Sequence, residues 1–152
     1  MAYWLMKSEP DAYSIDDLAK EGAGMWEGCR NYTVRNFLRD TMQKGDRALF
    51  YHSSVDPAGV VGEMEIASDA YPDPTQFDPE NEYYDAKSPK ENPRWFARDV
   101  KFIRKFPEMV TLALLKATPG LDAMGVVKRG QRLSIMPVTA AEWEIVMGLA
   151  GK

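Results

Sequence analysis

The amino-acid sequence predicts an α+β fold: a strongly bent mixed β-sheet, or open pseudo-barrel, with short peripheral helices. Strand-like runs with period-two alternation, such as Val60–Ile66, recur along the chain. The helical stripes between them are short, and two open on capping boxes, Ser14–Asp17 and Thr139–Glu142. Strands do not alternate regularly with long helices, which argues against a parallel α/β sheet. A length of 152 residues and a hydrophobic share of 45% fit one domain spanning 1–152.

Taken in order, Ala2–Lys7 reads as an aromatic-rich strand. It stops at Ser8-Glu9-Pro10, because proline removes a ladder donor and favours an extended Glu9. Ser14 caps a helix of one to two turns that ends at Gly22 and Gly24. Trp26–Asn31 has no clean period and reads as a loop. From Tyr32 to Met42 a helix is expected, with Val34, Phe37, Leu38, Thr41 and Met42 spaced as one buried stripe. Gly45-Asp46 ends it. Arg47–Ser53 and Val60–Ile66 form a hairpin across the turn Asp56-Pro57-Ala58-Gly59. Ser68–Arg94 is a proline-rich, acidic surface excursion anchored by Tyr71, Phe77, Tyr83 and Tyr84. Loops of that length are usually functional or mobile. Trp95–Phe106 is a strand, Thr111–Ala117 a short helix, Leu121–Gly130 irregular and Arg132–Met136 a short strand. Thr139 caps a last helix whose apolar stripe is Trp143, Val146, Met147 and Ala150.

Composition removes several function classes. The net charge of −4 argues against non-specific coating of nucleic acid, which needs a basic face, but permits a local basic patch. Cys29 is the only cysteine, so neither an internal disulfide nor a cysteine zinc cage is available. His52 is the only histidine, which excludes a polyhistidine metal site and makes it the one partner a serine triad would have. No metal and no cofactor are expected. The first ten residues lack a basic start and a long apolar run, and no stretch approaches membrane-spanning length. A soluble cytoplasmic protein (nuclear in a eukaryote) with no membrane partner is expected.

The densest chemistry lies in Trp26–Phe37, which holds an indole, two arginines, two asparagines, a tyrosine and a glycine. Its motifs resemble the EVE domain family: Trp4–Pro10, Trp26–Tyr32 with Arg35–Leu38, Gly45-Asp46, Phe50–Ser53 and Arg132–Val138, in the family's order over almost the whole chain. The resemblance implies a PUA-like pseudo-barrel related to the YTH domain, and a reader of modified nucleobases, cytosine modifications in DNA among them. The family's usual glutamine near the end of the last strand is Met136 here, which is expected to alter that wall of the site.

A base reader needs an aromatic wall, directional donors and acceptors, and a basic rim for phosphate. Trp26 is the candidate wall, with Gly28 allowing close backbone approach; the alternative is a core plug. Asn31 and Asn36 offer amides for a base edge, although Asn31 also stands where a helix N-cap would. Arg30, Tyr32 and Arg35, with Arg39, make either a phosphate-binding face or a solvated helix surface. The other half of the site is expected from Lys7, Ser8 and Glu9 at a strand end, with Glu9 alternatively paired to an arginine. Tyr51, His52 and Ser53 are expected to join it, with His52 either a pocket donor or a structural hydrogen bonder. Arg132 and Ser134 face a ligand or solvent, and Cys29 packs.

The leading expectation is a non-enzymatic module that binds DNA or RNA carrying a modified base. No convincing catalytic set is visible. The alternatives are an enzyme acting on a modified nucleoside through Lys7, Ser8 or Glu9, and an interaction module whose acidic excursion contacts an unidentified protein.

Overall fold

Seven strands form one mixed sheet in the computed structural model, which describes residues 1–151. They are β1 (Tyr3–Ser8), β2 (Ala23–Trp26), β3 (Arg47–His52), β4 (Gly59–Ile66), β5 (Tyr71–Pro72), β6 (Phe96–Thr111) and β7 (Ile135–Val138). The helices are α1 (Ile15–Glu21), α2 (Tyr32–Asn36), α3 (Leu112–Ala117) and α4 (Ala140–Ala150). Strand order is β2-β6-β4-β3-β1-β7, with β5 added against β6. The β1–β3 pair is parallel and the others antiparallel.

Side-chain alternation builds a core on each face. Trp4 and Met6 join Ala48, Phe50, Met64 and Ile66 on one face, covered by Ile15, Leu18, Val34, Leu38 and Met42. Leu5, Leu49, Tyr51, Val60 and Val138 lie on the other, covered by Leu115, Met124, Trp143, Val146 and Ala150. Asp46, almost wholly buried, ties the ends of this arrangement together. It accepts Trp4 Nε1 at 3.0 Å and the Gln43 amide at 2.9 Å.

The structure departs from the sequence-based expectations at several elements, among them β5, which lies within the excursion expected to be a loop. Ala23–Trp26 is a strand, because β6 supplies a backbone partner that glycine-rich local sequence does not advertise. The helix from Tyr32 switches at Phe37 to a π turn, closed by the Met42 amide on the Phe37 carbonyl at 2.8 Å. One extra residue in that turn rotates Thr41 out of the stripe and leaves it exposed, while Val34, Leu38 and Met42 stay buried. β6 runs on through Pro107, because a register shift opposite Val61 leaves that position without a required ladder donor. Arg132–Ser134 precede the last strand rather than forming it.

Candidate functional site

The ends of β1 and β2, the turn at Ser53 and Ser54, the segment entering β7 and part of the long excursion surround one cleft of about 1150 Å³. Lys7, Ser8 and Glu9 reach it together with Trp26, Gly28, Arg30, Ser53, Arg132 and Ser134. Two backbone bonds fix this meeting of distant segments. The Lys7 amide donates to the Ser134 carbonyl at 2.8 Å, and the Ser53 amide to the Ser8 carbonyl at 3.0 Å. The bend after β1 lets adjacent residues share the cleft, since the Glu9 carbonyl accepts the amides of Ala12 and Tyr13 in a tight turn.

Lys7 lies with its ammonium 5.9 Å from the Tyr51 ring centroid. Burial holds its pKa below the ordinary lysine range, and among the described residues it forms no ion pair. The Ser8 hydroxyl donates to the Tyr13 carbonyl at 2.6 Å and keeps its oxygen free to accept. Tyr13 also lines the cleft; its hydroxyl is buried without a hydrogen-bond partner among the described residues. Burial, and then the Glu21 carboxylate, push that phenol upward, so it is a proton donor at neutral pH. The Cys29 thiol, at the edge of the cleft, is pushed up to about 12 by burial and is not an activated thiolate.

Trp26 is only 7% exposed and meets Phe50 edge-on, with centroids 5.5 Å apart and an interplanar angle of 83°. It is a core residue showing a small part of its surface to the cleft, not an open stacking wall. The accessible aromatic is Tyr83, which nothing in its local sequence distinguishes from Tyr84. A Cβ added at Gly28, where φ is +79°, would fall 2.6 Å from the Tyr83 ring. Glycine therefore seats the ring directly on the backbone. The Gly28 amide donates to Asp73 at 2.8 Å.

Arg30 lines the cleft, but its guanidinium is already committed. It pairs with fully buried Asp73 at 3.1 Å and donates to Thr75 Oγ1 at 2.9 Å and to the Tyr83 carbonyl at 2.8 Å. The buried Gln76 accepts the Trp95 amide at 3.1 Å and donates to the Asp73 and Trp95 carbonyls at 2.7 and 2.8 Å. Trp95 Nε1 donates to Asp85 at 2.7 Å. The excursion is thus held by a buried polar network as well as by aromatic anchors.

Six expected site residues do not line the cleft. Asn31 is the N-cap of α2 and accepts the Thr33 and Val34 amides at 2.8 and 3.1 Å. Tyr32 stacks on Trp95 at 4.9 Å between centroids. Arg35 donates to Asn36 Oδ1 and to the Arg94 carbonyl, both at 2.9 Å, which occupies Arg35 and Asn36 together. Tyr51 is buried in the core of the opposite sheet face. His52 Nε2 accepts the Ile15 amide at 3.1 Å, a structural bond. Met136 packs in the opposite core against Gly125, so its identity does not shape a cleft wall. Glu9 has no ion pair among the described residues. Residues the sequence reading missed are Tyr13, Glu21, Glu27, Glu82 and Tyr83.

The EVE domain profile matches residues 2–149, nearly the whole chain. The chain belongs to the EVE domain family. Human thymocyte nuclear protein 1 is 41% identical to this EVE domain over 169 residues, covering 99% of this chain and 75% of the relative. A crystal structure of a Pseudomonas syringae protein superposes with a TM-score of 0.94 at 48% identity, covering 98% of this chain and 99% of that one. The crystal structure of human thymocyte nuclear protein 1 in complex with DNA containing 5-methylcytosine superposes with a TM-score of 0.91 at 42% identity, covering 100% of this EVE domain and 99% of that chain.

Proposed function

We propose that this EVE domain binds nucleic acid by taking a modified base, extruded from its stack, into the cleft, and performs no chemistry on it. The observation that carries the reading is the fit of the whole chain onto thymocyte nuclear protein 1 in complex with 5-methylcytosine-containing DNA. The cleft, at about 1150 Å³, accommodates a nucleotide together with parts of its neighbours. Tyr83 is the stacking surface. Lys7 and the Ser8 oxygen are uncommitted polar groups for a base edge, and Tyr13 lines the cleft beside them. The register shifts in the β3–β4 and β4–β6 pairs support a bend in the sheet toward the expected pseudo-barrel.

A catalytic reading would draw on Lys7, Ser8 or Glu9; a binding reading is favoured because the one imidazole that could activate a serine is occupied and the one thiol is unactivated. His52 holds the Ile15 amide, and the Cys29 thiol is pushed up to about 12. The test is titration of labelled oligonucleotides carrying 5-methylcytosine or plain cytosine, in DNA and RNA, with the protein and with Tyr83→Ala. The modified strand is expected to bind more tightly. Tyr83→Ala is expected to weaken it by about 1–3 kcal/mol, the range for lost base–aromatic stacking. Equal binding of modified and plain strands, or an indifferent Tyr83→Ala, would sink the reading. Mass analysis of the recovered oligonucleotides is expected to show them unchanged.

A further inference from the structure

We propose that the turn Lys128–Gln131, together with Arg132, is the surface that takes the phosphodiester backbone flanking a base held in the cleft; this rests on the base-binding reading above. The Gln131 amide closes the turn on the Lys128 carbonyl at 3.3 Å. Gly130, with φ +79°, fills its third position, where a left-handed conformation is required. Lys128 and Arg129 therefore occupy the first two positions of the turn. Gln131 Oε1 then accepts the Leu133 amide at 3.0 Å and leads the chain into Arg132 and Ser134, which line the cleft. The bond from the Lys7 amide to the Ser134 carbonyl attaches this segment to β1. The turn is thereby fixed at the cleft's lip.

Lys128, Arg129 and Arg132 are exposed, and among the described residues none is in an ion pair. Three cations within five residues reverse the sign of a chain whose net charge is −4. The cations expected to bind phosphate are committed or lie away from the cleft: Arg30 is held on Asp73, while Arg35, bonded to Asn36 and the Arg94 carbonyl, and exposed Arg39, beside Asp40, do not line it. Glu9, Glu21, Glu27 and Glu82, all exposed, line other parts of the cleft and none has a cationic partner among the described residues, so the 128–132 turn is the side of the opening that attracts phosphate. With a base held in the cleft, the flanking phosphates are drawn to the basic turn and away from these acids.

The test measures binding of a duplex carrying 5-methylcytosine, and of its plain counterpart, by fluorescence anisotropy between about 50 and 200 mM salt. The proteins compared are the native chain, the double variant Lys128→Gln/Arg129→Gln, and the double variant Arg35→Gln/Arg39→Gln. The turn variant is expected to flatten the log–log salt slope by up to about 1.8, at about 0.9 per lost phosphate contact on duplex DNA. It is expected to weaken both duplexes by the same factor, so that their affinity ratio is preserved. The helix variant is expected to leave the slope unchanged. An unaltered slope in the turn variant, or a slope change confined to the helix variant, overturns the assignment of the turn. Loss of the modified-to-plain ratio in the native protein overturns the base-reading proposal while the slope comparison still reports on the turn. Failure of the native protein to bind either duplex overturns both.

Discussion

At the scale of the residue, the sole histidine shows how one hydrogen bond sets a pH response. His52 Nε2 accepts the Ile15 amide, so the proton of the neutral ring sits on Nδ1 and protonation of Nε2 breaks the bond. Burial is the main cause that lowers its pKa from the ordinary 6.5, and Lys105 adds to it against the opposing Asp16. The unfolded chain therefore takes up this proton more readily than the folded one. The stabilisation is fully present above about pH 6.5 and is lost as pH falls through the folded-state pKa. Between about pH 6.5 and 5, Tm is expected to fall more steeply for the native protein than for His52→Gln, which keeps an acceptor but does not titrate. The single imidazole resonance is expected to titrate below 6.5 by NMR; a midpoint at or above 6.5 contradicts the bond. Some residue roles were open to local reading. Asn31 stands one place before its helix, so its capping role follows from position. Arg30 did not yield its role, because its partner Asp73 is 43 residues away in the chain.

At the scale of the element, α2 and its π turn are held from both ends. Asn31 supplies the N-cap, while the Arg98 guanidinium, buried on β6, donates to the Leu38 and Met42 carbonyls at 2.6 Å each. Arg98 thus does for the last turn what the chain itself cannot, since terminal carbonyls have no helical donor. Arg98→Met leaves those carbonyls buried and unpaired and is expected to cost about 2–5 kcal/mol, against about 1 kcal/mol for Asn31→Ala. Urea unfolding measures the difference. Hydrogen exchange should show the amides of the π turn losing protection first in Arg98→Met, and equal losses for the two variants would refute the account. The apolar stripe of this helix was legible in the spacing of Val34, Leu38 and Met42. The π turn was not, because it depends on where β6 presents a guanidinium.

At the scale of the whole molecule, the acidic excursion is a wall of the cleft rather than a separable appendage. Asp73 is the bolt: wholly buried, it joins Gly28, Arg30 and Thr75 across the junction. Asp73→Ala leaves Arg30 facing an unpaired, partly buried site and is expected to destabilise the protein by about 3–5 kcal/mol. It is also expected to release Tyr83 from Gly28, measured as faster proteolysis within 78–92 and weaker oligonucleotide binding. A variant that cleaves no faster than the native protein would show that the aromatic anchors suffice. Most of the elements were legible in the sequence by itself, since alternation, caps and turn residues act within a few positions of one another, whereas β2, the π turn and a core on each face of the sheet came from contact with distant segments. The sequence also marked the segments that meet at Lys7, Trp26 and Arg132. Tertiary structure alone decided which of their groups are free. Arg30, Arg35 and His52 are spent on partners 37 to 59 residues distant, while Tyr83 and the 128–132 turn are left facing outward. Whether a polar side chain is committed depends on what packs against it, and pattern within the chain does not encode that partner.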